Sequence, residues 1–193
     1  MLFALICVTP ACGPPECTQV EASYDKKTGR LRRLSYDSNK NGTPDSFAYM
    51  DEAKVLRVEI DKDEDGRIDL WEYYDADQRL EKVAVSRLTN GQVDEWAYEG
   101  PNGTVAKIEM STRQDGKVQR TEFYERGALA HAEEDTDGNG TVDKWEAYAN
   151  GVLASVAFDT EGAGRPTRRL VYQADGKVRV ETGAALVQAL SKP

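Results

Sequence analysis

The chain has 193 residues, enough for one medium domain or an array of repeats. It carries 34 Asp and Glu against 25 Lys and Arg, a formal charge of -9, which speaks against nucleic acid as a partner and suits cations. Hydrophobic residues make up 39% and charged residues 31%, so any apolar core is lean.

The chain opens on MLFALICVTPA (1–11), an apolar run ahead of CGPPEC. This resembles the end of a bacterial lipoprotein signal peptide, with Ala11 as the small residue before the cleavage point and Cys12 as the lipidated residue. Thr9 and Pro10 fit that pattern poorly. No Lys or Arg precedes the apolar run, so the true start is expected upstream. Residues 12–18 then form a tether, and the membrane is reached only through the lipid, because a span needs roughly 20 apolar residues. The alternatives are a frayed apolar terminus and a Cys12–Cys17 disulfide. Cys7, Cys12 and Cys17 all precede residue 18, so the folded part holds no thiolate metal site.

Residues 19–183 form a β-hairpin repeat domain. Gly42, Gly66, Gly91, Gly116, Gly140 and Gly164 recur at spacings of 24, 25, 25, 24 and 24. Eleven residues before each glycine stands Leu31, Val55, Leu80, Val105, Leu129 or Leu153. Five residues after it Phe47, Trp71, Trp96 and Trp145 recur, and seven or eight after it another aromatic. The periodicity inside each copy is two. VLRVEID (55–61) puts Leu56, Val58 and Ile60 on one face, with Arg57 and Glu59 on the other. IDLWEYY (68–74) is short and rich in aromatic and β-branched residues, as strands are. The fold class is therefore all-β: an antiparallel meander of roughly 13 strands in hairpin repeats. One apolar face must be buried, so the sheet is expected to curl, roll or fold over on itself. The tail 184–193 continues as a short helix over AALVQAL or as an irregular cap.

The acids concentrate in the turns. DTDGNGTVDKWE (135–146) places Asp135, Asp137, Asn139, Thr141, Asp143 and Glu146 at positions 1, 3, 5, 7, 9 and 12 of a twelve-residue window, with Gly140 at position 6. DKDEDGRIDLWE (61–72) places Asp61, Asp63, Asp65, Asp69 and Glu72 likewise, and Arg67 offers its carbonyl at position 7. This is the ligand spacing of an EF-hand loop, and alternating oxygen ligands on a tight turn suit Ca2+. The two windows match equally well. DSNKNGTPDSFA (37–48) keeps Asp37, Asn39, Asn41 and Asp45 but ends on Ala48, a weak site. The loops at Gly91 and Gly116 put Leu88 and Arg113 where ligands belong, and the loop at Gly164 has Ala163 and Leu170, so none of these is expected to bind. The competing reading is of acidic turns, since Asp, Asn and Gly all favour turns.

The windows resemble EF-hand-type calcium loops of non-helical extracellular proteins. The YD…G.L turns, Tyr24-Asp25 to Leu31 and Tyr74-Asp75 to Leu80, look like the YD repeats of bacterial Rhs-type proteins and like bacterial MORN-type variants. Those resemblances imply a β-sheet scaffold rather than a defined activity. The functional expectation is a calcium-binding structural or interaction lipoprotein of the bacterial cell envelope, anchored in the outer membrane and periplasmic or surface-exposed. Its partner would be an envelope protein or a glycan. The chain is not expected to be an enzyme: His131, the one histidine, falls on a polar strand face, and no G-x-S-x-G surrounds a serine. The alternatives are an accessory subunit of a larger envelope or secretion machine and an envelope hydrolase.

Overall fold

The computed structural model describes residues 20–183 and Leu186. The expected signal segment, the tether with Cys12 and most of the C-terminal tail lie outside those residues; Leu186 itself is buried.

Fourteen strands follow one another in chain order. They are β1 (Val20–Tyr24), β2 (Leu31–Tyr36), β3 (Ser46–Asp51), β4 (Lys54–Ile60), β5 (Leu70–Tyr74), β6 (Leu80–Val85) and β7 (Glu95–Glu99), then β8 (Val105–Met110), β9 (Arg120–Glu125), β10 (Ala128–Glu134), β11 (Lys144–Ala149), β12 (Val152–Phe158), β13 (Arg168–Tyr172) and β14 (Val178–Thr182). Each pairs antiparallel with its sequence neighbours, in the order β1 to β14, and the sheet is an all-β meander. Short strands of alternating residues joined by glycine turns leave little else to form.

The expected folding-over does not occur. Substantial contacts between strands run only between sequence neighbours, so the sheet is one open layer. Among the described residues the buried hydrophobic side chains are only Ala84, Ala132, Val156, Ala157 and Leu186. The reason lies in what shields the apolar groups. On one face an aromatic alternates with a cation from strand to strand: Arg57 lies 4.0 Å over the Tyr49 ring, Lys82 4.8 Å over Tyr73 and Lys107 4.1 Å over Tyr98. Phe123 stacks on His131 at 4.3 Å, which makes the histidine a stacking partner on the exposed face. Each cation covers ring surface that a second layer would otherwise bury, and contributes about 0.5–1 kcal/mol. Trp71 and Trp96 flank Ala84, which is 1% exposed beneath them.

The other face carries Val58, Ile60, Leu70, Val83, Val85, Ile108 and Met110 over β4 to β8, then a charged cluster over β9 to β11. Arg120 is bonded there to Glu122 at 2.9 Å, Glu134 at 3.2 Å and Glu146 at 2.8 Å.

Leu56 does not line up with Val58 and Ile60. A β-bulge falls there, between the pairs Met50↔Val55 and Tyr49↔Arg57, and Leu56 is 50% exposed. The same irregularity recurs in the following hairpins, where Tyr74 pairs Leu80 and Tyr73 pairs Lys82, and where Tyr148 pairs Leu153 and Ala147 pairs Ser155. The recurring Leu or Val of each repeat is the residue just before this bulge, opposite the end of the preceding strand. The bulge adds one residue, so the faces switch parity at a fixed place.

Candidate metal centre

The six long turns lie along one end of the sheet, each two strands from the next, roughly 10 Å. All share one backbone. Position 6 is a glycine with positive φ, such as Gly66 at 87° and Gly140 at 91°. Position 4 is also left-handed, at Lys40, Glu64, Thr89 and Gln114 as well as at Gly138. Two residues tie most of the turns together. Position 1 accepts the position 6 amide: Gly66 N–H to Asp61 Oδ2 at 2.9 Å, Gly140 N–H to Asp135 Oδ2 at 2.7 Å, and Gly116 N–H to Ser111 Oγ at 3.1 Å. Position 9 accepts the position 2 amide: Lys62 N–H to Asp69 Oδ2 at 2.9 Å and Thr136 N–H to Asp143 Oδ1 at 3.1 Å. Neighbouring turns are also laced by backbone bonds, Asp61 N–H to Asp45 O and Asp135 N–H to Gln119 O among them. Serine at position 1 builds the same turn as aspartate, so the turn forms without a carboxylate.

Two groups of carboxylates converge. Ligating oxygens of Asp61, Asp63 and Asp65 all lie within 4.8 Å of one another, and so do those of Asp135, Asp137 and Asp143. Either group could hold a metal ion. Calcium–oxygen bonds run about 2.3–2.6 Å, so oxygens on opposite sides of one ion stand about 4.6–5.2 Å apart.

The two windows, equal in sequence, differ in how far their acids are already satisfied. Asp135 accepts the amides of Gly138 and Asn139 on Oδ1 as well as Gly140 on Oδ2. Burial pushes its carboxyl up, but those amides outweigh it and hold the group below its ordinary value. Asp143 accepts the Thr136 hydroxyl at 2.8 Å in addition to the amide. In the 61–72 turn position 2 is Lys62, which has no hydroxyl, and position 4 is Glu64 rather than glycine. There Asp69, 2% exposed, and Asp61, 8% exposed, each keep a buried Oδ1 with no hydrogen-bond partner among the described residues. Asp63 and Asp65 are exposed at the turn's mouth, and Asp65 Oδ1 accepts the Arg67 amide at 2.8 Å. The Arg67 side chain is packed toward the next turn: a Cβ at Gly91 would lie 3.3 Å from its own Cβ.

Glu72 and Glu146, the expected position 12 ligands, are not brought to either group. Tyr74 donates its hydroxyl to Glu72 at 2.7 Å. Glu146 is bonded to Arg120 at 2.8 Å, Lys144 at 2.8 Å and the Tyr148 hydroxyl at 2.9 Å. Burial pushes the Glu146 carboxyl up, yet those three bonds bring it down to about 2. The physical cause is the strand. Three residues past position 9 in an extended chain is about 10 Å along the sheet, whereas a helix would return the residue to the loop.

Thr141 and Asn139 shape their turn, the Thr141 amide bonding Asn139 Oδ1 at 2.8 Å. Asn139 Nδ2 donates to Asp137 Oδ2 at 2.9 Å. In the first window Asp45 is fully engaged by Ser38 and Ser46, while Asp37 Oδ2 accepts the Gly42 amide at 2.7 Å. Asn39 and Asn41 donate both side-chain amides to Glu64 of the next turn. Glu64 and Arg113 act between turns, and ligand spacing within one window could not find them. The stacking of position 4 on positions 3 and 5 of the preceding copy was the usable signal, and it lay in the repeat itself.

No protein-family model matches the chain, and no curated protein does. Solved structures share parts of it. One is a mutant of S. aureus TarM in complex with fondaparinux, alpha-GlcNAc-glycerol and UDP: 14% identity over 54% of this chain and 20% of that one, TM-score 0.42. Another is the GtfA/B complex bound to UDP and GlcNAc, at 11% identity over 53% of this chain and 22% of that one, TM-score 0.40. A third is the accessory secretory protein 1, 2 and 3 structure of Streptococcus pneumoniae, at 13% identity over 73% of this chain and 19% of that one, TM-score 0.28. This chain spans about a fifth of the length of each. The expectation that the chain is not an enzyme is withdrawn, since the likenesses to parts of TarM and of the GtfA/B complex do not bear it out. TM-scores of 0.42 and 0.40 assign no activity to this chain.

Proposed function

We propose that the chain is a calcium-binding interaction module of the bacterial cell envelope, and that the 61–72 turn is its calcium site. One observation carries the assignment: two buried carboxylate oxygens, Asp61 Oδ1 and Asp69 Oδ1, have no partner in a turn whose Asp61, Asp63 and Asp65 converge. A buried carboxylate without a partner is costly, and a hard cation with oxygen ligands removes that cost. The Arg67 carbonyl, at position 7 of the window, would add a neutral oxygen. Three converging carboxylates on a turn whose outer acids are exposed suit calcium better than magnesium, which demands a small, regular octahedron. The apolar 1–11 segment followed by Cys12 supports an exported, lipid-anchored chain. The ribbed face of aromatics and cations supports a flat contact with an envelope protein or glycan, because an open sheet leaves those rings available on their outer side.

The test is thermal unfolding of the domain with calcium titrated from micromolar to millimolar. Binding to the folded state alone should add on the order of 1 kcal/mol at a few times Kd, a rise of about 2–4 °C for a chain of this size. Asp69→Asn should abolish the rise. A wild-type melting point that calcium does not move overturns the calcium assignment. Recovery of bound material from membrane extract with and without calcium then tests the contact.

A further inference from the structure

We infer that the two matching windows divide their labour: the 61–72 turn takes the ion, and the 135–146 turn carries a resident cation, the Arg113 guanidinium, in place of one. The inference rests on the calcium reading of the 61–72 turn and adds to it which of two equal-looking sequences binds and why.

Arg113 stands at position 3 of the neighbouring turn, where a ligand aspartate would stand. Its side chain crosses to the 135–146 turn instead. Nη2 donates to Thr136 O at 2.6 Å, and the guanidinium lies so close to Gly138 that a Cβ there would sit 2.5 Å from Nη1. Gly138, left-handed with φ 77°, in turn donates its amide to Asp135 Oδ1 at 2.7 Å. A fixed positive charge is thereby set against the segment that links Asp135 to Asp137. Glycine at position 4 makes the approach possible, and glutamate stands at that position in the 61–72 turn.

Among the described residues the 61–72 turn has no such visitor. The residue at position 3 of the turn before it is Asn39, which is neutral. Asn39 and Asn41 bind Glu64 and bring no charge. The contrast extends to the acids themselves. Asp135 and Asp143 have both oxygens engaged by amides or a hydroxyl, while Asp61 and Asp69 each keep one buried oxygen free of partners. A like-charged cluster is relieved by one cation, and whether that cation is a guanidinium or a metal ion is decided by the neighbouring repeat.

The experiment is calorimetric titration of the folded domain with CaCl2, using the same substitution at the same position in both windows. Asp63 and Asp137 are exposed position 3 residues, so replacing either leaves the buried ties intact. The wild type should bind one ion. Asp63→Asn should weaken binding about tenfold or more, since affinity follows ligand charge. Asp137→Asn should leave affinity and stoichiometry unchanged. Arg113→Gln should raise the stoichiometry to two. Two equal sites in the wild type, or a loss in Asp137→Asn as large as in Asp63→Asn, overturns the inference and spares the calcium reading. A stoichiometry that stays at one in Arg113→Gln refutes the role of the guanidinium. A protein that binds no calcium overturns both.

Discussion

Replacing Arg120 by Met removes the hub of the charged cluster on the β9–β11 face. Arg120 is bonded to three carboxylates, and the side chains of Arg120, Glu122, Glu134 and Glu146 are 16%, 16%, 20% and 11% exposed. Burial works against the Arg120 charge, but its bonds to Glu146 and Glu122 outweigh that and raise its pKa. On the other side of the pair, Glu146 moves from its ordinary 4.5 to about 2. That difference corresponds to a ceiling of about 3 kcal/mol, and partial solvent screening reduces it to about 2. The substitution also leaves Glu134 and Glu146 with Lys144 as their shared cation and Glu122 with only the Tyr124 hydroxyl. Loss of one partner of a buried pair costs up to about 3–5 kcal/mol, so about 2–3 kcal/mol is expected on this half-buried face. In urea the midpoint should fall by about 1 M. The pH dependence separates this account from a packing defect. The folded-state pKa of Glu146 lies below its unfolded value, so the wild-type contribution is complete above about pH 5 and drains as the pH falls toward 2. In the variant, acid relieves repulsion instead, and its deficit should shrink between about pH 7 and 4. Amide exchange in β9 to β11 is the local readout, since repeat arrays need not unfold as one unit. A variant within about 0.5 kcal/mol of wild type, with a parallel pH profile, would refute the hub.

Tyr74, Tyr98 and Tyr124 are pushed up to about 12 by burial and by donating to Glu72, Glu109 and Glu122. Absorbance titration should show tyrosines that ionise near 12, the stabilisation should be complete below about pH 10 and lost as the pH rises to 12, and Glu109→Gln should bring Tyr98 down. Ala84→Leu forces Trp71 and Trp96 apart, costs about 1–3 kcal/mol and should shift tryptophan emission; an unchanged spectrum at unchanged stability would show the pocket under the indoles to be loose. Gly138→Ala meets both a positive φ and the Arg113 guanidinium, whereas Gly140→Ala meets only the φ, at 91° and with open space around it. The first should therefore lower stability, read as the melting point, more than the second, each costing at least about 1–2 kcal/mol for a left-handed residue.

The strands were open to view in the sequence because period-two alternation and glycine spacing act locally. The single layer was not, because it depends on which cation lands over which ring across a strand pair. Val58 and Ile60 look like one side of a sandwich; only Arg57 over Tyr49, and its counterparts at Lys82 and Lys107, show that the opposite face is also covered without a second sheet. The candidate site divides in the same way. Asp61, Asp63 and Asp65 were legible because ligand spacing on a turn is a local property. Glu72 and Glu146 were misplaced because the twelve-residue pattern assumes a helix after position 9, and a strand carries the same residue about 10 Å away. What distinguishes the two windows is smaller still. Thr136 has a hydroxyl where Lys62 has none, and Gly138 admits Arg113 where Glu64 reaches backward to Asn39 and Asn41. Each difference concerns a residue the ligand pattern leaves free; the first acts within one turn, and the second acts between turns that are neighbours only once the sheet has formed. In a repeat array the free positions of a copy and of its neighbour thus set the chemistry of its turn, so a change at position 2 or 4 should move metal affinity without touching a ligand. Lys62→Thr is the direct case: a hydroxyl there should reach Asp69 Oδ1, satisfy it as Thr136 satisfies Asp143, and weaken calcium binding while raising the stability of the metal-free domain by about 1 kcal/mol. Tighter calcium binding in that variant would mean that the unpartnered oxygen is not what draws the ion.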